Sequence, residues 1–259
     1  MKFLLSATLL LSLAGCATAP KMPQTIEEAS THAMRTPHNT LRDQYRHPVE
    51  TLNFFGIRPE MTVIEISPSR GWYTEILAPY LSEKGQYIMA EAETDPRGYT
   101  VPRKEWYKKH PDLLKKAKTV VFQPGSKIEL GAPNSADMIL TFRNLHNWLP
   151  TKNIEEAFKH FHQTLKPGGV LGVVEHRANP KNKFDAKSGY MHEKEVIRIA
   201  KKAGFKLAEK SEINANPKDS AKHPHGVWSL LPSLRGGEKD KAKYQAIGES
   251  DRMTLKFVK

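Results

Sequence analysis

Two acids near the ends of apolar runs, a turn of small residues between them, and an Asn–Leu–His group further on are the residues whose types and spacing could do chemistry. Glu65 sits near the carboxyl end of the β-branched run Val63, Ile64 and Ile66, and Ser67, Pro68, Ser69, Arg70 and Gly71 follow as a turn. A strand that feeds a helix through a tight turn brings backbone N–H groups up to a bound cofactor. Roughly 20 residues beyond Gly71, Glu91 closes a second run, Gln86 to Ala90, where a carboxylate can accept from both ribose hydroxyls of an adenosine-type cofactor. Asn144 and His146 follow a further apolar run, and a histidine there can act as a base near neutral pH. The competing role for His146 is a structural ring that caps that strand.

These groups need elements to hold them. Val63–Ile66 reads as a buried strand, and Trp72, Ile76, Leu77, Tyr80 and Leu81 recur at helical spacing after the turn. Further strands are predicted at Gln86–Ala90, Thr119–Phe122, Asp137–Phe142 and Val170–Glu175, with a helix over Ile154–Leu165 leading into Leu165-Lys-Pro-Gly-Gly169. Strands alternating with helices make a doubly wound α/β sheet.

The combination of Glu65, Ser67, Ser69, Gly71, Glu91, the segment Phe142-Arg-Asn-Leu-His-Asn-Trp148 and the Leu165–Gly169 turn resembles the class I S-adenosylmethionine (SAM) dependent methyltransferases. The resemblance runs from about Thr51 to the C-terminus, and its nearest members are exported bacterial proteins described as predicted methyltransferases. It implies one mostly parallel, seven-stranded sheet with an antiparallel last strand at Arg252–Val258, and Ala203, Gly204 and Phe205 turning into the sixth. It implies SAM as methyl donor, held by Glu65, Ser67, Ser69, Gly71, Glu91 and Arg143, with Asn144 and His146 beside the reacting atoms. Ser67 and Ser69 depart from the family's glycines, and Arg70 is interposed before Gly71. Glycine suits these positions because the backbone must come close and take positive φ, so serine narrows the site.

Resemblance also makes residues 25–55 a helical lid over the cofactor, with Tyr45 and Arg46 at the pocket rim. A solvated charged turn is the plainer alternative for that pair. The domain proper spans residues 56–259, with an insertion at about 214–250 between the last two strands. Rich in Pro, Gly, Lys and His, and anchored by Trp228, the insertion is expected to form a specificity element on the substrate side.

The N-terminus carries a separate signal. Lys2 precedes the apolar run Phe3–Leu13, too short to span a bilayer and typical of a signal peptide over residues 1–15. Leu13-Ala-Gly-Cys16 resembles a bacterial lipobox, which implies lipidation of Cys16 and a tether over residues 16–24. Ala17 in place of an aspartate favours the outer membrane, facing the periplasm, so the membrane is an expected partner through Cys16. Cys16 is the only cysteine, which excludes an intramolecular disulfide and a cysteine-based metal site. Eleven histidines are present, but none has convincing ligand spacing, so no metal is expected.

A formal net charge of +12 lies largely in runs such as Arg103–Lys118 and Lys201–Lys210, read as solvated faces. No nucleic-acid-binding signature accompanies it, and in the envelope anionic lipids are the commoner counterpart. Two classes of function follow: a methyltransferase acting on a small-molecule or envelope-derived substrate, or a non-catalytic envelope lipoprotein that uses the fold as a ligand-binding module. SAM is made in the cytoplasm, which favours the second; the co-occurrence of the motifs favours the first. Nothing in the sequence sets the oligomeric state.

Overall fold

A computed structural model describes residues 21–259. The leader over residues 1–15, Cys16 and the tether as far as residue 20 lie outside the described residues.

Eight strands form one sheet: β1 (Thr62–Ile66), β2 (Gln86–Glu91), β3 (Lys118–Gln123), β4 (Lys127–Ile128), β5 (Ala136–Phe142), β6 (Leu165–His176), β7 (Lys206–Ser211) and β8 (Arg252–Val258). Their order is β4-β3-β2-β1-β5-β6-β8-β7. The strands β3, β2, β1, β5 and β6 run parallel, while β8 lies antiparallel between β6 and β7. The expected seven-stranded sheet is therefore corrected to eight. Gly125, at φ +83°, turns the chain back after β3, and Lys127 and Ile128 pair antiparallel with Gln123 and Phe122. The segment Leu165–Gly169 is also part of β6 rather than a turn before it, because Leu165 already pairs with Ala136 on β5.

Helices cover both faces. Four short ones precede the sheet: α1 (Ile26–Thr31), α2 (Pro37–Thr40), α3 (Asp43–Arg46) and α4 (Pro48–Phe55). Thr25 caps α1 by accepting from the Glu28 amide at 3.1 Å, and Pro48 opens α4 where its missing N–H costs nothing. Along the sheet follow α5 (Thr74–Leu81), α6 (Val101–Lys109), α7 (Pro111–Lys116), α8 (Leu145–Trp148), α9 (Ile154–Thr164), α10 (Glu193–Lys202) and α11 (Lys241–Ile247).

The strand pleat sends neighbours to opposite layers. Ile64, Ile139 and Val173 pack against Phe158 and Phe161 of α9 and Val196 and Ile199 of α10. Val63, Met138 and Leu140 pack against Leu52 and Phe55 of α4 and Ile76 and Leu77 of α5. Burial of both faces explains why these strands read as continuous apolar runs.

The segment from Asn214 to Ser250 is pinned at both ends. Asn214 donates to the hydroxyls of Thr51 and Thr254 at 2.9 and 3.0 Å, and the Ser250 hydroxyl meets His176 Nδ1 at 2.5 Å. Within it, buried Asp219 receives the Tyr190 hydroxyl at 2.9 Å and contacts His223 Nε2 at 2.8 Å. No helix among the described residues is long and apolar enough to cross a membrane.

Candidate cofactor crevice

A cavity of about 440 Å³ opens at the carboxyl ends of β1, β2 and β5. There the strand order reverses around β1, the place where open α/β sheets accept ligands. The turn after β1 forms its floor. Ser67 and Ser69 take φ +49° and +52°, and Gly71 takes +84°. Two serines thus hold a left-handed backbone that the sequence pattern would assign to glycine, and the Ser67 amide ties the turn to β2 by donating to the Ala90 carbonyl at 2.7 Å.

Glu65 is buried beneath that turn, accepting from the Tyr87 hydroxyl and, at 3.2 Å, from the Thr74 hydroxyl. Burial pushes its carboxyl up to about 7, against the pull of the Tyr87 hydrogen bond and of Arg103. Glu91 also lines the cavity, but its carboxylate is ion-paired with the Arg103 guanidinium. Arg103 was expected on a solvated face and is instead almost completely buried. Its stem fills the space beside Gly71: a Cβ on Gly71 would stand 2.8 Å from Arg103 Cγ. Gly71 therefore gives room to the side chain that holds Glu91 and is not among the residues that line the cavity.

At the other end the residues after β5 meet the end of β6. Asn144 donates to the Ile66 carbonyl at 2.8 Å, stapling the ends of β5 and β1 together. His146 Nδ1 lies 3.0 Å from Glu175 Oε1. Glu175 is fully buried and also accepts the amides of Leu145 at 2.6 Å and His176 at 2.8 Å. A carboxylate with those donors is an acceptor, so His146 donates through Nδ1 and keeps Nε2 free as a base. His176 is neutral: burial first, then the neighbouring His146 ring and the positive charges of Arg143, Arg252 and Arg46, hold it well below the usual histidine range. The Trp228 ring closes this end, edge-on to His146 with centroids 6.1 Å apart.

Glu65, Ser67, Ser69, Glu91, Arg143, Asn144 and His146 thus converge on one cavity, together with Arg46 and Trp228. Tyr45 does not join them. Its ring packs on Gly248 and its carbonyl accepts from Arg252 Nη1 at 2.9 Å, so the helical turn of α3 points Arg46 inward and Tyr45 away from the rim. Sequence reasoning missed Arg103, hidden in a charged run, and the pair Glu175–His176. A charged pair ending a buried strand was the available signal for the latter.

His146, Glu175 and His176 are, among the described residues, the one group close enough to share a metal ion, although sequence spacing gave no ligand set. The sheet brings them together from α8 and the end of β6. Both Glu175 oxygens already accept backbone amides, and the nearby arginines oppose an added cation, so the group suits proton transfer better than metal binding.

No family model matches the chain, and no curated protein does either. Solved structures do. A SAM-dependent methyltransferase from Aquifex aeolicus superposes with a TM-score of 0.58 at 17% identity, covering 90% of this chain and 96% of that one. This chain has a class I methyltransferase fold. A phosphoethanolamine N-methyltransferase from Haemonchus contortus, in complex with SAM, gives a TM-score of 0.57 at 18% identity over 83% of this chain and 52% of that one. The [4+2]-cyclase SpnF shares the fold as well, with a TM-score of 0.56 at 15% identity over 85% of this chain and 81% of that one. One architecture therefore carries more than one chemistry, and function has to be argued from the crevice.

Proposed function

We propose that the chain is a SAM-dependent methyltransferase acting on a small-molecule or envelope-derived acceptor. The observation that carries this reading is the left-handed turn at Ser67, Ser69 and Gly71, which opens a crevice with Glu91 at one end and a carboxylate-oriented histidine at the other. The cradle fits an adenosyl cofactor: the serines supply the backbone shape that glycines would, and the free side of Glu91, held in place by Arg103, faces the cavity where a ribose would lie.

When bound, SAM supplies an electrophilic methyl group on a sulfonium, so the protein's task is mainly to position and to move one proton. Glu65, Ser67, Ser69 and Glu91 hold the adenosine half, and the backbone at Arg143 and Asn144 borders the methionine half. His146, oriented by Glu175, takes the proton from the acceptor's nucleophilic atom through Nε2. Trp228 and the segment around it exclude water from the acceptor side. Placement in the envelope through lipidated Cys16, on the outer membrane facing the periplasm, belongs to the same proposal and rests on the leader and lipobox pattern.

The second reading, a binding module without methyl transfer, is favoured by the Glu91–Arg103 ion pair, which already engages the ribose acid. Incubation of the full chain with methyl-tritiated SAM and a bacterial envelope extract separates the two. Label entering an extractable acceptor with the native protein, and not with His146→Ala, supports the enzyme; intact SAM binding without label transfer supports the module. Cys16→Ser should move the protein out of the membrane fraction, and an unchanged distribution would end the anchoring proposal.

A further inference from the structure

Behind the wall of the crevice, four guanidiniums gather around one carboxylate. Arg42 Nε meets Glu249 Oε1 at 2.5 Å, Arg46 Nε meets Oε2 at 3.4 Å, and Arg252 pairs with the same oxygen. Arg143 is the fourth, with no side-chain hydrogen bond among the described residues. It borders both the main crevice and a small adjoining cavity of about 10 Å³, which it shares with Arg46, Tyr73 and Arg252. Glu249 is held far below the ordinary carboxylate range by the surrounding arginines, so it is ionised, and the cluster still carries an excess of three positive charges.

The excess is buried. Arg46 and Arg252 are nearly inaccessible, and Nη2 of Arg42, Nη2 of Arg46 and Nε of Arg252 have no partner. Unpaired guanidinium nitrogens in an interior are unfavourable, and a planar fork of N–H donors matches a carboxylate or phosphate. Arg46 and Arg143 both line the crevice together with His146, His176 and Trp228, and both are near enough to His176 to act on its charge. The methionine tail of SAM carries an ammonium with its carboxylate. Such a zwitterion leaves the excess uncompensated and needs an acid beside it, but Glu249 and Glu175 are both already engaged. Trp72 adds to the retention of Arg46, lying under its guanidinium at 4.6 Å.

Resting on the methyltransferase reading of the crevice, we infer that the acceptor is an anion whose carboxylate or phosphate binds Arg46 and Arg143 beside His146. The nucleophilic atom of such a molecule would then stand between the arginine cluster and the cofactor crevice, next to the free nitrogen of His146.

Calorimetric titration of the full chain with inorganic phosphate and with acetate, at matched ionic strength in chloride, tests this in the presence and absence of S-adenosylhomocysteine. The expected result is anion binding in both conditions, with the tighter of the two naming the acceptor's group. Arg143→Met should weaken it about tenfold or more. The Arg143 amide donates to the Val174 carbonyl at 2.7 Å, a bond the substitution keeps, while its side chain makes none among the described residues, so an unchanged unfolding midpoint in the variant shows that the loss is local. Phosphate displaced by S-adenosylhomocysteine but not by 5′-methylthioadenosine, which lacks the carboxylate, would assign the arginines to the cofactor and overturn the inference. So would failure of both anions to bind, which would leave the cluster as a clasp around Glu249. Absence of S-adenosylhomocysteine binding with Arg143-dependent phosphate binding intact would remove the cofactor reading alone and support the anion seat.

Discussion

The two ends of the crevice are assembled in opposite ways. At the acidic end, where we propose that the adenosine lies, Glu65 and Glu91 come from adjacent strands of a parallel sheet, joined by one turn and one helix, and a single arginine neutralises one of them. At the other end the charge is positive, and its members come from α3 and the residue before it, the turn after β5, and the last segment of the chain; Arg42 and Glu249 are 207 residues apart. Local connectivity fixes the first arrangement once β1 and β2 pair. The second exists only when the N-terminal helices and the 214–250 segment dock on the finished sheet, so it is the part free to vary with the substrate while the sheet stays the same.

Substitutions at the adenosine end should cost the most. Arg103→Met leaves Glu91 and the neighbouring Glu65 without their cation, and breaking such a buried pair costs about 3–5 kcal/mol. Chemical denaturation should show that loss together with loss of S-adenosylhomocysteine binding; retention of both would mean that the ion pair does not organise this end.

Next in size is a pH effect. Burial raises the folded-state pKa of Glu65 to about 7 from an ordinary 4.5, so between those values the folded state binds more protons than the unfolded state. The Glu65 contribution to stability should therefore be largest at the acid end of that window and fall by about 3 kcal/mol as pH rises through it, against the opposite slope of buried His176. Glu65→Gln should remove that fall. A Glu65→Gln profile that runs parallel to the native one from pH 4.5 to 7 would show that Glu65 is ionised in place.

Smaller again, Glu91→Gln should cost about 1.5–3 kcal/mol of S-adenosylhomocysteine affinity, since a charged acceptor is lost while the shape is kept. At the acceptor end Trp228→Ala should change that affinity by less than about threefold and lower turnover. If Trp228→Ala weakened cofactor binding as much as Glu91→Gln, the division of the crevice into two ends would be wrong.

The same contrast governs what the sequence disclosed. The meeting of Glu65, Ser67, Ser69 and Glu91 at one cavity was legible because the strand pattern fixes which residues stand at the strand ends, and that pattern is strong for β1, β2 and β5. His146 was legible as a candidate, but its orientation was not, because Glu175 lies on another strand and meets it only across the sheet. Arg103 was misread because a charged run conceals which face of α6 turns inward. Tyr45 and Gly71 were placed in the pocket by their neighbours in sequence, whereas packing on Gly248 and on the stem of Arg103 decides where they sit. The additional strand, β4, is two residues long and carries no periodic signal at all.

The central claim is that the crevice beside β1 is an adenosyl-cofactor site whose affinity resides at its acidic end. Titration calorimetry of S-adenosylhomocysteine into the full chain, its Glu91→Gln variant and its Trp228→Ala variant measures this in one series. One-site binding to the native chain, weakened about tenfold or more by Glu91→Gln and nearly unchanged by Trp228→Ala, is the predicted result. No binding to the native chain, or equal binding to all three, would contradict it.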